Sequence, residues 1–309
     1  MKKILIIGGG GYIGSRISLD LSNSYDVTQL DLCWFGDPTE NMIVGDFRRY
    51  GRDFYSEFDS IILLAGHSSV NMCEGNMDSA FKNNIENFLY LISNINKGQK
   101  FIYASSSSVY GNSGSLYVDE GYTDFVPHNH YDITKHVIDL YAPKFDIEYY
   151  GLRFGTVNGF SPKMRSDVMI NSMIYNGKTN GEIKLYVKDV MRPILGISDL
   201  SLAIKKILSC EIDLRGIYNL ASFNKTAEEI SASVSKCTGF PVIDIGNNIS
   251  NITNSKLQTK SYNFSMDSSK FKKNFNFEFK DTIESITDET ISNFDSIIFS
   301  NRSNVREYE

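Results

Sequence analysis

The sequence predicts a doubly wound α/β fold: a parallel sheet with helices on both faces, followed by a smaller α+β unit at the C-terminal end. Three observations carry this. Short apolar runs alternate with longer segments of helical periodicity through the first half of the chain. A run of glycines at 8–11, with another at 14, lies between the first apolar run and the first helical segment. After about residue 155 the alternation breaks.

The strand candidates are residues 3–7, 27–30, 42–44, 60–64, 100–103 and 147–153. Short, continuously apolar runs bounded by Gly, Asp or Ser suit strands buried on both faces. Between them, Ile13, Ile17 and Leu21 recur every four residues, and Phe81, Ile85, Phe88, Ile92 and Ile95 alternate four and three. Such seams face a core. Beyond the break, 164–176 and 198–208 read as helices and 183–187 as a strand. Residues 247–265 are rich in Asn and Ser and predict a loop, and 301–309 a frayed end. This organisation predicts a first domain over 1–158, with roughly 193–220 packing back onto it, and a substrate-binding domain over 159–309.

The 309 residues carry 31 Lys+Arg against 37 Asp+Glu, a net charge of −6. A nucleic-acid binder needs a basic surface to displace phosphate counterions, so that class is disfavoured. Four cysteines, Cys33, Cys73, Cys210 and Cys237, form no CxxC pair and predict neither a zinc cluster nor a disulfide framework. His128, His130 and His136 cluster without a carboxylate in zinc spacing, so no metal is expected. The apolar run at 4–7 is too short for a secretory core, and no stretch reaches the ~18 apolar residues of a membrane span. A cytoplasmic protein that contacts neither membrane nor nucleic acid is the expectation.

The glycine stretch has a backbone purpose. A tight turn demands positive φ, and a pyrophosphate must approach bare amides at a helix N-terminus. Gly8 and Gly11 supply the loop, Tyr12 and Ile13 open the helix, and Gly14 lets helix and strand pack closely. Asp31 ends the second strand seventeen positions after Gly14, where a carboxylate accepts hydrogen bonds from an adenosine ribose. It also repels a 2′-phosphate, and 32–36 contain no Arg or Lys, so NAD is favoured over NADP. Asp46, at the end of the third strand, is placed either to reach the adenine amino group or to cap the next turn.

Tyr131 and Lys135 are i and i+4 on a segment where Ile133, Val137, Ile138 and Tyr141 keep helical spacing. An ammonium beside a phenol lowers its pKa and makes it a proton-transfer group for an alcohol–ketone pair. The run at 101–111 brings a buried strand out into Ser105–Ser108, where Ser106 can hydrogen-bond the reacting oxygen. For Ser105, Ser107 and Ser108 the bland reading, satisfaction of local backbone groups, is preferred.

Taken together, the glycine loop at 8–14, Asp31, Leu64-Ala65-Gly66-His67-Ser68-Ser69, Ser105-Ser106 with Val109-Tyr110-Gly111, and Tyr131/Lys135 resemble the extended short-chain dehydrogenase/reductases. Within these the chain is similar to the nucleotide-sugar epimerase/dehydratase group, through 152–159, 161–165 and 191–194, fading after about residue 225. The resemblance implies a Rossmann-like cofactor domain, bound NAD, a nucleotide-diphosphate sugar as substrate, and a homodimer formed through the 81–95 and Tyr131 helices. It implies that Ser106, Tyr131 and Lys135 are catalytic. The cofactor is implied to lie against Gly8, Gly11, Tyr12, Ile13, Gly14, Asp31, Asp46, Leu64, Ala65, Gly66, Asn84 and Phe154, with Tyr131 and Lys135. His67, Ser107, Thr156, Arg165 and Arg192 are implied to face the substrate, the two arginines as phosphate-binding forks.

Departures from the family pattern narrow the chemistry. Sugar 4,6-dehydratases carry an Asp acid and a Glu base after the catalytic serine, decarboxylating relatives a Glu at the second of these positions, and C3/C5 epimerases a Cys there. Here both are serine, Ser107 and Ser108, which cannot deprotonate a carbon beside a ketone. Hydride transfer at a carbinol remains. A C4 epimerase and a dehydrogenase or 4-ketoreductase both fit, with the Asp31 preference for NAD favouring epimerase or dehydrogenase. Thr156 stands where many epimerases have a phosphate-binding asparagine. A cofactor-binding sensor or scaffold without chemistry is the non-enzymatic alternative, disfavoured because Ser106, Tyr131 and Lys135 are all retained.

Overall fold

A computed structural model describes residues 1–111, 113, 117–246 and 262–299. Seven strands form one parallel sheet: β1 (Lys3–Ile7), β2 (Asp26–Asp31), β3 (Met42–Val44), β4 (Ser60–Leu63), β5 (Lys100–Ser106), β6 (Glu148–Phe154) and β7 (Gly216–Leu220), in the order β7-β6-β5-β4-β1-β2-β3. The chain winds outward from β1 to β3, then returns to β4 on the other side of β1. Ligands of such sheets sit where the winding reverses, beyond the carboxyl ends of the strands.

The apolar runs become strands because both faces are covered. Ile4 and Ile6 point into one core with Ile17, Leu21, Ile62 and Leu200, while Leu5 and Ile7 point into the other with Ile61, Phe88 and Ile138. Register brings the functional ends level: Ile7 pairs with Leu30 and with Leu63, and Ser106 with Phe154. Gly8, Asp31, Leu64 and Ser106 therefore emerge at one rim. The doubly wound expectation holds. The helix Ile197–Ser209 covers the same face as the helix Tyr12–Leu21, and β7 completes the sheet beside β6. The helices Met169–Asn180, Ala227–Thr238 and Ile283–Ser292 share a separate core around Ile170, Ile174, Val234 and Ile286.

Three local expectations are corrected. The helix expected over 164–176 runs Met169–Asn180, and Met164 lies in the short strand Lys163–Met164. Its start is decided from elsewhere in the chain: Asn158 Oδ1 accepts from the Ile170 amide at 2.8 Å and the Asn171 amide at 3.4 Å, acting as a remote cap. Phe81 is exposed rather than in the seam, because the helical stretch 77–93 makes a π-turn at Lys82–Glu86. The extra residue puts Ala80, not Phe81, in phase with buried Ile85. On the helix His130–Tyr141, Ile133 and Tyr141 are exposed and the buried face is Asp132, Thr134, Lys135, Ile138 and Asp139. Part of the expected 247–265 loop is described: Ser265–Met266 is a strand paired with Tyr117–Val118. The rest of that loop up to 261, and the expected frayed end at 301–309, lie outside the described residues.

Candidate active site

One cavity of about 390 Å³ opens along the rim. Its floor begins with the glycine loop. Gly8 has φ +89°, and a Cβ there would come within 2.5 Å of the Ala65 nitrogen; at Gly14 it would come within 2.1 Å of the Gly8 oxygen. Gly11 lines the cavity, and a Cβ there would meet only the Gly8 oxygen, at 3.4 Å, so a side chain would fill the cavity itself. Loop and helix N-terminus thus leave a cradle shaped for a group that approaches bare backbone.

Asp31 borders this cradle. Its Oδ2 accepts from the Gly10 amide at 2.9 Å and its Oδ1 from the Cys33 amide at 2.7 Å, which fixes the carboxylate while leaving lone pairs on both oxygens. Leu32, Trp34 and Phe35 continue the wall beyond it. Asp46 behaves differently. Its carboxylate caps the next turn through the Arg48 amide at 2.9 Å and pairs with the Arg48 guanidinium at 2.5 Å. Of the two readings open for Asp46, the structure shows the cap; its neighbours Gly45 and Phe47 line the cavity instead. Tyr12 and Ile13 line it as well, but the Tyr12 hydroxyl is spent on the Gly159 carbonyl at 2.9 Å.

Leu64, Ala65, Gly66 and His67 form the middle of the floor. Asn84 lies behind them, buried. His67 is 2% exposed and hydrogen-bonded through Nε2 to Ser79 Oγ at 3.0 Å. Burial holds its pKa below the usual histidine value.

Ser106, Tyr131 and Lys135 meet at the end of β5. Tyr131 and Ser106 line the same cavity wall, and Ser106 Oγ lies 2.9 Å from Ser108 Oγ. Lys135 Nζ donates to the Ala104 carbonyl at 2.7 Å and sits 5.8 Å from the Tyr131 ring centre. The expected lowering of the phenol pKa is reversed here. Burial pushes Tyr131 up, opposed mainly by the nearby Ser106 hydroxyl and the Arg165 charge, because desolvating a phenolate outweighs them. Burial also brings Lys135 down to about 8.

Ser107, Thr156, Phe154, Arg165 and Arg192 complete the wall on the far side. Arg165 forks onto Asp167 at 2.8 and 2.9 Å. No group of three or more His, Cys, Asp or Glu residues suited to a metal occurs among the described residues, and none of the described helices is long and apolar enough to cross a membrane.

Sequence reasoning missed several neighbours. Tyr262 and Phe264 line the cavity, and the Tyr262 hydroxyl donates to buried Asp132, the residue after Tyr131. Ser108 lies against that same carboxyl, though no well-aligned bond reaches Asp132 Oδ1. Lys163 supplies a cation near the 32–36 loop, its Nζ donating to the Asp37 carbonyl at 2.5 Å. No sequence signal places residues so distant at the same rim.

This combination, a glycine cradle at a helix N-terminus, a carboxylate beside it and a Ser/Tyr/Lys cluster at one rim, agrees with a family model that matches residues 4–221, described as the NAD dependent epimerase/dehydratase family. The chain belongs to that family. The UDP-glucose 4-epimerase of Lactobacillus helveticus is 29% identical over 177 residues, 52% of this chain and 53% of that one. The chain spans about half the length of the curated relatives it matches. Among solved structures, the UDP-N-acetylglucosamine 4-epimerase from Methanobrevibacter ruminantium M1, in complex with UDP-N-acetylmuramic acid, superposes with TM-score 0.80 at 23% identity, covering 96% of this chain and 98% of that one. TunA, an NAD-dependent NDP-hexosamine 5,6-dehydratase involved in tunicamycin biosynthesis, superposes with TM-score 0.82 at 17% identity over 96% and 99%. At such identities the likeness concerns the fold. Proteins with epimerase and dehydratase names share that fold, so the fold alone does not fix the reaction.

Proposed function

We propose that this member of the epimerase/dehydratase family is an NAD-dependent nucleotide-sugar epimerase acting at C4. The observation that carries the reading is that Ser106, Tyr131 and Lys135 meet in one cavity wall whose two positions after Ser106 are the hydroxyls Ser107 and Ser108. These residues can move a proton at a carbinol oxygen, but nothing at 107 or 108 can remove one from carbon. That favours epimerisation over the dehydration named for TunA, and agrees with the 4-epimerase names of the other relatives.

In this reading Gly8, Gly11 and Gly14 cradle the pyrophosphate of NAD, Asp31 takes the adenosine ribose, and Lys135 reaches the second ribose. The chemistry such a cofactor supplies is reversible hydride acceptance, so a sugar carbinol is oxidised and then reduced on its other face without net redox change. Tyr131 removes the hydroxyl proton and later returns it, while Ser106 holds the reacting oxygen. Arg165 and Arg192 hold the sugar nucleotide by its phosphates. Thr156 replaces an asparagine expected there, which points to a difference in phosphate contacts from other epimerases.

The helices at 77–93 and 130–141 expose Met77, Phe81, Ile133, Leu140 and Tyr141, an apolar surface that supports a homodimer through these helices. A cytoplasmic location agrees with the access that sugar-nucleotide chemistry needs. Sedimentation as a monomer at micromolar concentration contradicts the dimer.

The deciding experiment incubates purified protein with a panel of nucleotide sugars and reads products by NMR and cofactor by absorbance. An inverted C4 hydroxyl with the cofactor retained supports the reading. Released NADH assigns a dehydrogenase instead, and cofactor binding without turnover across the panel assigns a sensor or scaffold.

A further inference from the structure

The buried face of the helix His130–Tyr141 carries a charged residue that the chemistry above does not use. Asp139 lies one turn beyond Lys135, and the two are 3% and 7% exposed. Its carboxylate is gripped from the sheet: Ser105 Oγ donates at 2.9 Å and Tyr103 hydroxyl at 3.1 Å from β5, and the Arg153 guanidinium pairs with it at 2.8 Å from β6. Arg153, itself 4% exposed, donates to the Tyr110 hydroxyl at 2.9 Å and lies over the Tyr110 and Phe125 rings. One carboxylate therefore joins the helix bearing Tyr131 and Lys135 to the strand bearing Ser106 and the strand ending at Phe154.

A buried ammonium loses its proton unless something compensates its desolvation. Lys135 donates to one carbonyl, that of Ala104, which offers only a partial charge. We propose that Asp139, held in place by Arg153, is the countercharge that keeps the Lys135 ammonium protonated and so sets the alkaline limit of the Tyr131 chemistry. Only the last clause rests on the proposed function. Asp139 is a positioning residue, acting through Lys135 rather than on substrate.

Cys73, on the helix Val70–Glu74, faces Lys135, but burial pushes its thiol up to about 11, so it is neutral where Lys135 titrates. Tyr131, on the same helix, is raised by burial and neutral as well. Around Asp139 stand Arg153, Tyr103, His136 and Tyr149; the two phenols are raised by burial, and burial holds His136 down. Among these groups Asp139 is left as the anion. Its charge opposes the burial that brings Lys135 to about 8.

The test measures Lys135 directly, in the full chain and without any sugar. Competitive acetylation across pH, read on the Lys135 peptide by mass spectrometry, gives the midpoint at which the amine becomes reactive. Asp139→Asn alone orphans a buried guanidinium and endangers folding, so it is paired with the double variant Asp139→Asn/Arg153→Met, which removes both charges. The expected result is a lower midpoint in folded Asp139→Asn, and a smaller fall in the double variant, where the opposing Arg153 cation is gone as well. The alkaline limb of the kcat profile then moves down by the same amount while the acid limb stays. An unchanged midpoint in the folded double variant overturns the proposal. A lowered midpoint in a protein that turns over no nucleotide sugar leaves the countercharge standing and removes the epimerase reading. Turnover with an unmoved midpoint does the reverse.

Discussion

Asn84 clasps the backbone of His67 from both sides. Its Oδ1 accepts from the His67 amide at 2.8 Å, and its Nδ2 donates to the His67 carbonyl at 3.1 Å. The same Nδ2 reaches Thr134 Oγ1 at 3.0 Å, tying the cavity floor to the helix of Tyr131 and Lys135. Gly66 has φ +136°, and a Cβ there would come within 2.7 Å of Asn84 Oδ1, so the clasp requires glycine beside it. The π-turn at Lys82–Glu86 holds both Asn83 and Asn84 buried.

Asn84→Ala should leave a buried amide and a buried carbonyl unpaired, at about 1–3 kcal/mol each. Denaturant unfolding should show the loss in the midpoint, and calorimetric titration should show weaker NAD binding as the floor loosens. Stability and affinity equal to the parent chain would mean that the clasp contributes nothing.

Tyr131→Phe should lower turnover by ~10² or more while NAD remains bound, because only the proton-transfer group is removed. Steady-state kinetics and a binding titration on the same preparation separate the two effects. Equal activity defeats the catalytic assignment.

Asp31→Ala should relax the preference for NAD over NADP and also weaken binding of both, since the Gly10 amide loses its acceptor at 2.9 Å. The comparison is between dissociation constants for NADH and NADPH. An unchanged ratio counts against a ribose contact.

Asp281 supplies a pH signature outside the cavity. Burial, with the charges of Asp199 and Glu289, raises its pKa from 3.8 to about 6, while its Oδ2 accepts from the Asp199 amide at 2.9 Å. The folded chain thus keeps a proton that the unfolded chain releases. The stabilisation from this group is complete below the unfolded value and is lost as pH rises through the folded one. Asp281→Asn keeps an acceptor and cannot titrate, so Tm should fall less between pH 4 and 6 than in the parent chain. Identical Tm curves contradict the shift.

Much of the frame was legible because its signals are local. The run at 3–7, the glycines after it and Asp31 lie within one strand–loop–helix–strand unit, and each restates a short-range demand: burial on two faces, positive φ, close backbone approach. Ser106, Tyr131 and Lys135 were legible through motif spacing and family resemblance. The phase of the 77–93 helical stretch was not, since one extra residue in a π-turn shifts every position before it and leaves no mark in apolar periodicity. The start of the helix at Met169 was hidden for a related reason: its cap is Asn158, from another strand. That Asp46 caps the next turn and pairs with Arg48 was equally open in the sequence.

By itself, then, the sequence determined the α/β winding, the dinucleotide-type loop and the residue types available for proton transfer, because these depend on neighbours a few positions apart. Only the tertiary structure decided the charge environment of the site. Tyr131 is raised rather than lowered, Lys135 is brought to about 8, and Asp139 and Arg153 meet between helix and sheet. Desolvation is set by how completely distant segments enclose a group, and ion pairing by which segments meet, and neither follows from spacing along the chain.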